Sequence, residues 1–276
     1  KEGRAYLTDN RTALEDEVIA KRKEMRKQVR RDSNRDREGM VERKGNVTPE
    51  DFSKAFGFRG VQFGNWVEGK RRQQDLNNAY DSLMDLAKLM GVSPRAIALN
   101  GKLGLAFGAR GKGGQNAAAA HFEPGTFVIN LTKKSGQGSL AHEWFHALDY
   151  HFGKGTAVSR RNTAKGVDGI RPEMAEHWDN IKKAIANTNL EKRSKERDEF
   201  RSKPYWSTQV EMFARSFESW VIEQNSHNGV TNDYLANVLP DDSSSDYPYP
   251  TQAEMDNGLS QAYSQFAGAL QEQSGG

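Results

Sequence analysis

The sequence predicts an α+β protein that is rich in helices and carries one small sheet. Several segments have apolar residues at helical spacing, and two pairs of short apolar runs flank turn signals. A third observation is a cluster of Lys and Arg with few apolar residues between positions 11 and 44. It predicts a charged, solvated helix in front of the compact part of the chain.

The first element is therefore a basic helical extension, assigned to residues 1–46, with its helix ending near Gly39 or Gly45. The compact domain is assigned to residues 47–276. It opens at residues 48–51 with a capping hydroxyl, a proline at the first helical position and two acids. This order is typical of a helix start.

The remaining elements are helices separated by short strands. A helix is predicted over 76–90 and ends at Gly91. Two hairpins are predicted, one with strands 97–99 and 103–107, the other with strands 118–122 and 126–131. Further helices follow Ser139, Pro172, Ser207 and Thr251, while 108–116, 191–203 and 241–250 are predicted loops or connectors.

Composition narrows the function classes. Charged residues make up 28% and mean hydropathy is −0.85, yet five Trp and thirteen Phe indicate an aromatic core. The absence of Cys excludes disulfides, thiolate metal sites and Cys nucleophiles, and it fits a cytoplasmic location. No apolar run approaches the roughly 20 residues that span a bilayer, so no membrane partner is expected. The start at Lys1 indicates a piece of a longer protein.

The sequence His-Glu-Trp-Phe-His at 142–146 is an HExxH motif. Four residues of a helix turn it by about 400° and rise about 6 Å, so both imidazoles leave the same face. His142 and His146 are the predicted ligands of one Zn²⁺ per chain. Glu143 is the predicted general base, which accepts a proton from water and delivers it to a leaving amine.

A catalytic zinc needs a third protein ligand, and Glu211 is the predicted one. It begins a helix far downstream, and Ala214 one turn later allows close approach to the HExxH helix. Asp149 and Glu218 are the alternatives, either as ligands or as groups behind them. Asp149 is expected to orient His146, with a surface cap as the other interpretation.

Peptide hydrolysis also requires a donor to the developing oxyanion. The candidate donors are Tyr205, Tyr247, Tyr249 and His151. The run 127–131 before the HExxH helix is interpreted either as an edge strand that pairs with an extended peptide or as a purely structural strand.

The basic extension is a candidate DNA contact. Interspersed acids and the lack of a base-reading motif favour a solvated helix, so weak contact with phosphates is the alternative. The residues concerned are Lys21, Arg22, Lys23, Arg26, Lys27, Arg30 and Arg31.

Three blocks of sequence carry a family resemblance. They are residues 56–67 (FGFRGVQFGNWV), residues 99–111 (LNGKLGLAFGARG), and the run from 127–133 into 139–149 (SLAHEWFHALD). Together they resemble large polyvalent protein-associated domain 1 over roughly residues 50–250, without the basic extension. More distantly, the chain resembles the peptidase half of ArdC-type antirestriction proteins.

The resemblance implies a zincin-like fold with the gluzincin ligand arrangement. It also implies a metallopeptidase of a phage or conjugative element, delivered with DNA into the cytoplasm of a bacterial host. The substrate is then a protein or peptide, either a host defence protein or the element's own polyprotein. The alternatives are a nucleic-acid-binding module and a zinc-stabilised scaffold without turnover.

Overall fold

The computed structural model describes residues 2–24, 28–39, 43–64, 69–108, 120–131, 138–161, 170 and 172–274. The helices are α1 (Glu2–Glu24), α2 (Pro49–Phe56), α3 (Gly69–Met90), α4 (Pro94–Ile97), α5 (Leu140–Phe152), α6 (Pro172–Ala186), α7 (Leu190–Asp198), α8 (Gln209–His227), α9 (Gln252–Glu254) and α10 (Ser260–Gln273). The strands are β1 (Val61–Phe63), β2 (Gly104–Phe107), β3 (Ala120–Glu123) and β4 (Val128–Leu131). A 3₁₀ turn (Val158–Arg160) and a π turn (Met255–Leu259) complete the described elements.

The sheet has the order β1-β2-β4-β3, with β1, β2 and β4 parallel and β3 antiparallel to β4. All residues of β2 and β4 are buried, as expected for central strands. The α+β prediction with a small sheet is confirmed at this level. Because β4 lies between β2 and β3, the interpretation of 127–131 as an edge strand is wrong; β3 is the edge beside it.

The predicted hairpin at 118–131 is confirmed as the β3–β4 pair. The hairpin at 97–107 is wrong, because α4 occupies 94–97 and β2 is paired on both sides by other strands. The turn between them holds Leu99 and Asn100 in the left-handed region, with φ of 52° and 54°. The carbonyl of Ile97 accepts the indole N–H of Trp144 at 2.9 Å, which ties this turn to α5.

The helix predictions are mostly confirmed, with two corrections at the ends of charged segments. The basic helix ends at Glu24, and residues 28–39 are not helical; Glu38 instead forms an antiparallel bridge with Thr231. The predicted connector 191–203 overlaps α7, which begins with its one buried apolar residue, Leu190, and continues as a polar run. The predicted loop 108–116 lies outside the described residues after Gly108.

The core lies where α5 packs on α8, α6 and α10. Its centre is aromatic: the ring centroids of Phe145 and Phe217 are 4.9 Å apart, and those of Trp178 and Phe266 are 4.9 Å apart. Every residue of α5 from Leu140 to Asp149 is buried. Both the polar face and the apolar face of α5 are therefore buried inside the protein. No helix in the described ranges is long and apolar enough to cross a membrane.

Candidate metal centre

The HExxH motif lies on α5, which starts directly after a turn at Gly138 and Ser139 and is capped by Gly153. Gly138 has a φ of 95°, a conformation that a residue with a Cβ rarely adopts. Its N–H donates to the carbonyl of Tyr234, so the entry to the helix is fixed by the segment that follows α8. This turn aims the first polar positions of α5 at α8.

His142, His146 and Glu211 come together between the two helices. The Nε2 atoms of the two histidines are 3.0 Å apart. His142 Nε2 lies 2.9 Å from Glu211 Oε2, and His146 Nε2 lies 3.2 Å from Glu211 Oε1. A tetrahedral zinc with ligand distances of about 2.0–2.1 Å separates its ligands by about 3.3 Å. One nitrogen from each histidine and one oxygen of Glu211 therefore lie close enough together to hold a metal ion.

The charges around this triangle favour a cation as well. Burial lowers the pKa of His142, but Glu218 and Glu211 more than offset this and raise it to about 10. Although burial raises the pKa of Glu211, the two histidines hold it well below its usual range. The carboxylates of Glu211 and Glu218 thus favour a positive charge on His142. A zinc ion bound at this position would replace the proton on the imidazole.

Glu218 lies behind His142 rather than beside the donor triangle. It is fully buried, and its Oε2 is 2.8 Å from His142 Nδ1. A proton on Nδ1 that is donated to this carboxylate leaves the Nε2 lone pair facing Glu211 and His146. The other oxygen of Glu218 accepts from Arg30 Nη2 at 3.0 Å. Of the two roles predicted for Glu218, its position fits the supporting one.

Glu143 follows His142 in the sequence and is buried, with 7% of its surface exposed. Tyr205 is 39% exposed and precedes α8. Partial burial and the carboxylates of Glu211 and Glu143 raise the pKa of the Tyr205 phenol above its ordinary value. The phenol therefore stays a hydrogen-bond donor at neutral pH and shares the electrostatic environment of the donor triangle.

The three other candidate oxyanion donors are occupied or elsewhere. Tyr247 OH donates to the carbonyl of Leu239 at 3.0 Å. Tyr249 OH is buried and accepts from Arg30 at 3.1 Å. His151 lines a cavity on the opposite face of α5, near Trp144. Of the four candidates, Tyr205 is the one whose pKa is raised by the carboxylates of Glu211 and Glu143.

Asp149 is neither a surface cap nor hydrogen-bonded to His146 among the described contacts. It is 0% exposed, so it is not a surface cap. Its carboxylate accepts the N–H of Ser159 at 3.0 Å and the Ser159 hydroxyl at 2.5 Å. His146 Nδ1 is buried without a hydrogen-bond partner among the described residues, so the expected orientation by Asp149 is not seen. Asp149 instead anchors the 3₁₀ turn after α5.

Sequence reasoning missed Arg215, which lies one turn after Glu211 and is 1% exposed. Its guanidinium donates to the carbonyls of Pro248 and Trp206 and to Ser194 Oγ. It therefore places a buried positive charge behind Glu211. The available signal was the spacing of Glu211, Arg215 and Glu218 within the apolar stripe of α8.

The basic residues proposed as DNA contacts are dispersed. Lys21 pairs with Glu17 at 3.3 Å and Arg22 with Glu199 at 3.2 Å, both at exposed positions. Arg30 points inward, and the Arg31 backbone N–H donates to Asn237 at 3.0 Å. The side chains of Lys23, Arg26 and Lys27 lie outside the described part of the chain.

Two family models match parts of the chain. Large polyvalent protein-associated domain 1 matches residues 197–274, and large polyvalent protein-associated domain 5 matches residues 1–55. They support the expected association with polyvalent proteins. The comparisons with curated proteins and with solved structures found no match.

The location of these matches differs from the resemblance seen in the sequence. The domain 1 match contains Glu211 and Glu218, but it begins after the three sequence blocks and after α5. The domain 5 match covers the basic extension, for which no resemblance was expected. The HExxH helix lies outside both matches.

Proposed function

We propose that the chain is a zincin-like, zinc-dependent peptidase of a polyvalent protein from a phage or conjugative element. The observation that carries the proposal is the triangle of His142, His146 and Glu211, whose donor atoms lie within 4.8 Å of one another. Two imidazoles and one carboxylate form a donor set that is typical of catalytic zinc. The matches to polyvalent protein-associated domains support the proposed genetic context.

In this proposal the chain's own residues have distinct roles. Zn²⁺ held by the triangle would polarise a peptide carbonyl and lower the pKa of water. Glu143 accepts a proton from the attacking water as its oxygen bonds to the carbonyl carbon, then delivers that proton to the amine as the C–N bond breaks. Tyr205 donates to the developing oxyanion. Glu218 accepts from His142 Nδ1 and so directs Nε2 of this imidazole towards Glu211 and His146.

The test begins with zinc content per chain for wild type, His146→Ala and Glu211→Ala, with Glu143→Gln as the matched control. The control changes the neighbouring charge but removes no ligand. We expect near-stoichiometric zinc in wild type and Glu143→Gln, and loss of zinc in both ligand variants. Folded wild type that binds no zinc would sink the proposal. Zinc retained by Glu211→Ala would show that Glu211 is not the third ligand.

Turnover is tested separately, with a mixture of unfolded protein substrates incubated with wild type and Glu143→Gln. New N-termini that appear with wild type and are absent with Glu143→Gln would support the peptidase. Equal zinc binding with no cleavage dependent on Glu143 would leave a zinc-stabilised scaffold. The DNA-binding alternative has less support, since Arg30 and Arg31 make contacts within the protein.

A further inference from the structure

Arg30 belongs to the non-helical segment 28–39, which we call the N-terminal strap. Its guanidinium reaches acceptors from three separate parts of the chain. The side chain is 30% exposed, so most of it is enclosed by these partners. The acceptors are the carbonyls of Gly138 and Asn237, the Oε1 of Glu218 and the hydroxyl of Tyr249.

One of these contacts lies just before a helix that carries proposed ligands, and another lies on the second such helix. Gly138 is two residues before α5, which holds His142 and His146, and Glu218 lies on α8, which holds Glu211. Arg30 therefore joins the start of one ligand helix to the middle of the other. A planar guanidinium with fixed donor directions suits such a multiple contact.

We propose that Arg30, supplied by the N-terminal strap, is a positioning residue of the metal centre. The inference rests on the proposed zinc site. Glu218 is fully buried, and its described side-chain partners are Arg30 on one oxygen and His142 on the other. Without Arg30, the buried carboxylate of Glu218 loses the hydrogen bond that fixes one of its two oxygens. The imidazole of His142, which is oriented by the other oxygen, is then held less firmly.

Another arginine of the strap, Arg35, provides a control, because it holds the strap in place without contacting the proposed centre. Arg35 donates through Nε and Nη2 to the buried carboxylate of Asp233, at 3.0 and 2.9 Å. This pair also holds the strap on the segment after α8, but its described hydrogen bonds do not touch a proposed ligand. Both pairs join the segment matched by domain 5 to the segment matched by domain 1. The proposed centre thus draws on both matched segments.

The test compares Arg30→Ala with Arg35→Ala in the full chain. The zinc dissociation constant is measured by competition with a chelator, and the visible absorption of the Co²⁺-substituted protein reports ligand geometry. We expect Arg30→Ala to weaken zinc binding about 10- to 100-fold, the range typical of outer partners of ligands, and to change the Co²⁺ spectrum. Arg35→Ala is expected to lower the unfolding midpoint but to leave both readouts as in wild type.

Arg30→Lys keeps the positive charge but loses the planar guanidinium that donates in several directions, so an intermediate zinc dissociation constant is expected. If Arg30→Ala does not fold, Arg30→Lys is used in its place. Wild-type affinity and spectrum in the Arg30 variants would overturn this inference and leave the zinc site standing. Equal weakening by Arg35→Ala would overturn it too, because the effect would then reflect docking alone. Absence of zinc binding in wild type would overturn both proposals.

Discussion

Two buried carboxylates, Glu218 and Asp233, are each held by an arginine of the N-terminal strap, but they are held differently. Asp233 accepts two guanidinium N–H groups and the backbone N–H of Arg35, so one residue supplies all three bonds. Glu218 divides its oxygens between Arg30 and His142. The Asp233 pair is closed on itself, whereas the Glu218 pair fixes an imidazole.

This difference decides what each buried charge contributes. A closed pair of opposite charges is common in structural cores and gives little indication of function. The contact of Glu218 also affects the donor triangle, because the imidazole that it orients has its second nitrogen facing Glu211 and His146. What distinguishes the candidate site from the Asp233 pair is therefore a set of donor atoms that face a common point. Burial of charge is found at both.

The largest effect is expected at a buried ion pair whose described hydrogen bonds do not touch a proposed ligand. Asp85 is 1% exposed and accepts from Arg37 Nε at 2.8 Å and Nη2 at 2.7 Å. Arg37→Ala leaves this carboxylate without its charge partner, so the free energy of unfolding should fall by about 3–5 kcal/mol in urea titrations. Arg11→Ala, at the exposed pair with Glu15, should leave the midpoint unchanged. Loss of zinc from folded Arg37→Ala would contradict the separation of the two kinds of pair.

The second prediction concerns the exposed side of the donor triangle. Tyr205→Phe removes the proposed oxyanion donor, so kcat should fall about 10²- to 10³-fold while zinc content stays as in wild type. Tyr247→Phe is the matched control, because that hydroxyl donates to the carbonyl of Leu239 away from the triangle. A peptidase whose kcat is unaffected by Tyr205→Phe would show that the donor lies elsewhere.

The third prediction compares Glu218 and Asp233 directly. Glu218→Gln keeps the shape of the side chain but weakens its hold on His142, so zinc should bind about 10- to 100-fold more weakly in chelator competition. Asp233→Asn makes the same change in the closed pair, and the dissociation constant should stay within about twofold. Similar zinc dissociation constants for Glu218→Gln and Asp233→Asn would show that Glu218 has no greater effect on the metal centre than Asp233 has.

The sequence was sufficient where the signal is local. The spacing of His142 and His146 fixes both imidazoles on one helix face, and Glu211 stood out as an acid at the start of a second apolar helix. Arg30 was not recognisable, because its partner Glu218 is 188 residues away and nothing near Arg30 distinguishes it from neighbouring basic residues. The hairpin at 97–107 failed for a related reason, since parallel pairing of β2 depends on distant strands.

The smallest predicted effect concerns a carboxylate held by backbone N–H groups instead of an arginine. Asp198 accepts from the backbone N–H of Tyr205, Trp206 and Ser207 and from the Ser207 hydroxyl, at 2.7–3.2 Å. Although partial burial raises its pKa, these bonds lower it below the ordinary value of 3.8. The ionised form is therefore favoured by folding and shapes the turn that carries Tyr205.

Because the folded-state pKa of Asp198 is depressed, its stabilisation is complete above about pH 4 and is lost as the pH falls through the folded-state pKa. Asp198→Asn should lower the free energy of unfolding by about 1 kcal/mol at pH 7, as for the loss of a capping carboxylate. The gap between variant and wild type should narrow in urea titrations taken from pH 5 to pH 2. Asp179→Asn, at a helix-surface pair with Lys183, should show a smaller gap at neutral pH. A gap for Asp198→Asn that widens with acid would mean that the turn is stabilised by the protonated carboxyl, opposite to the sign expected here.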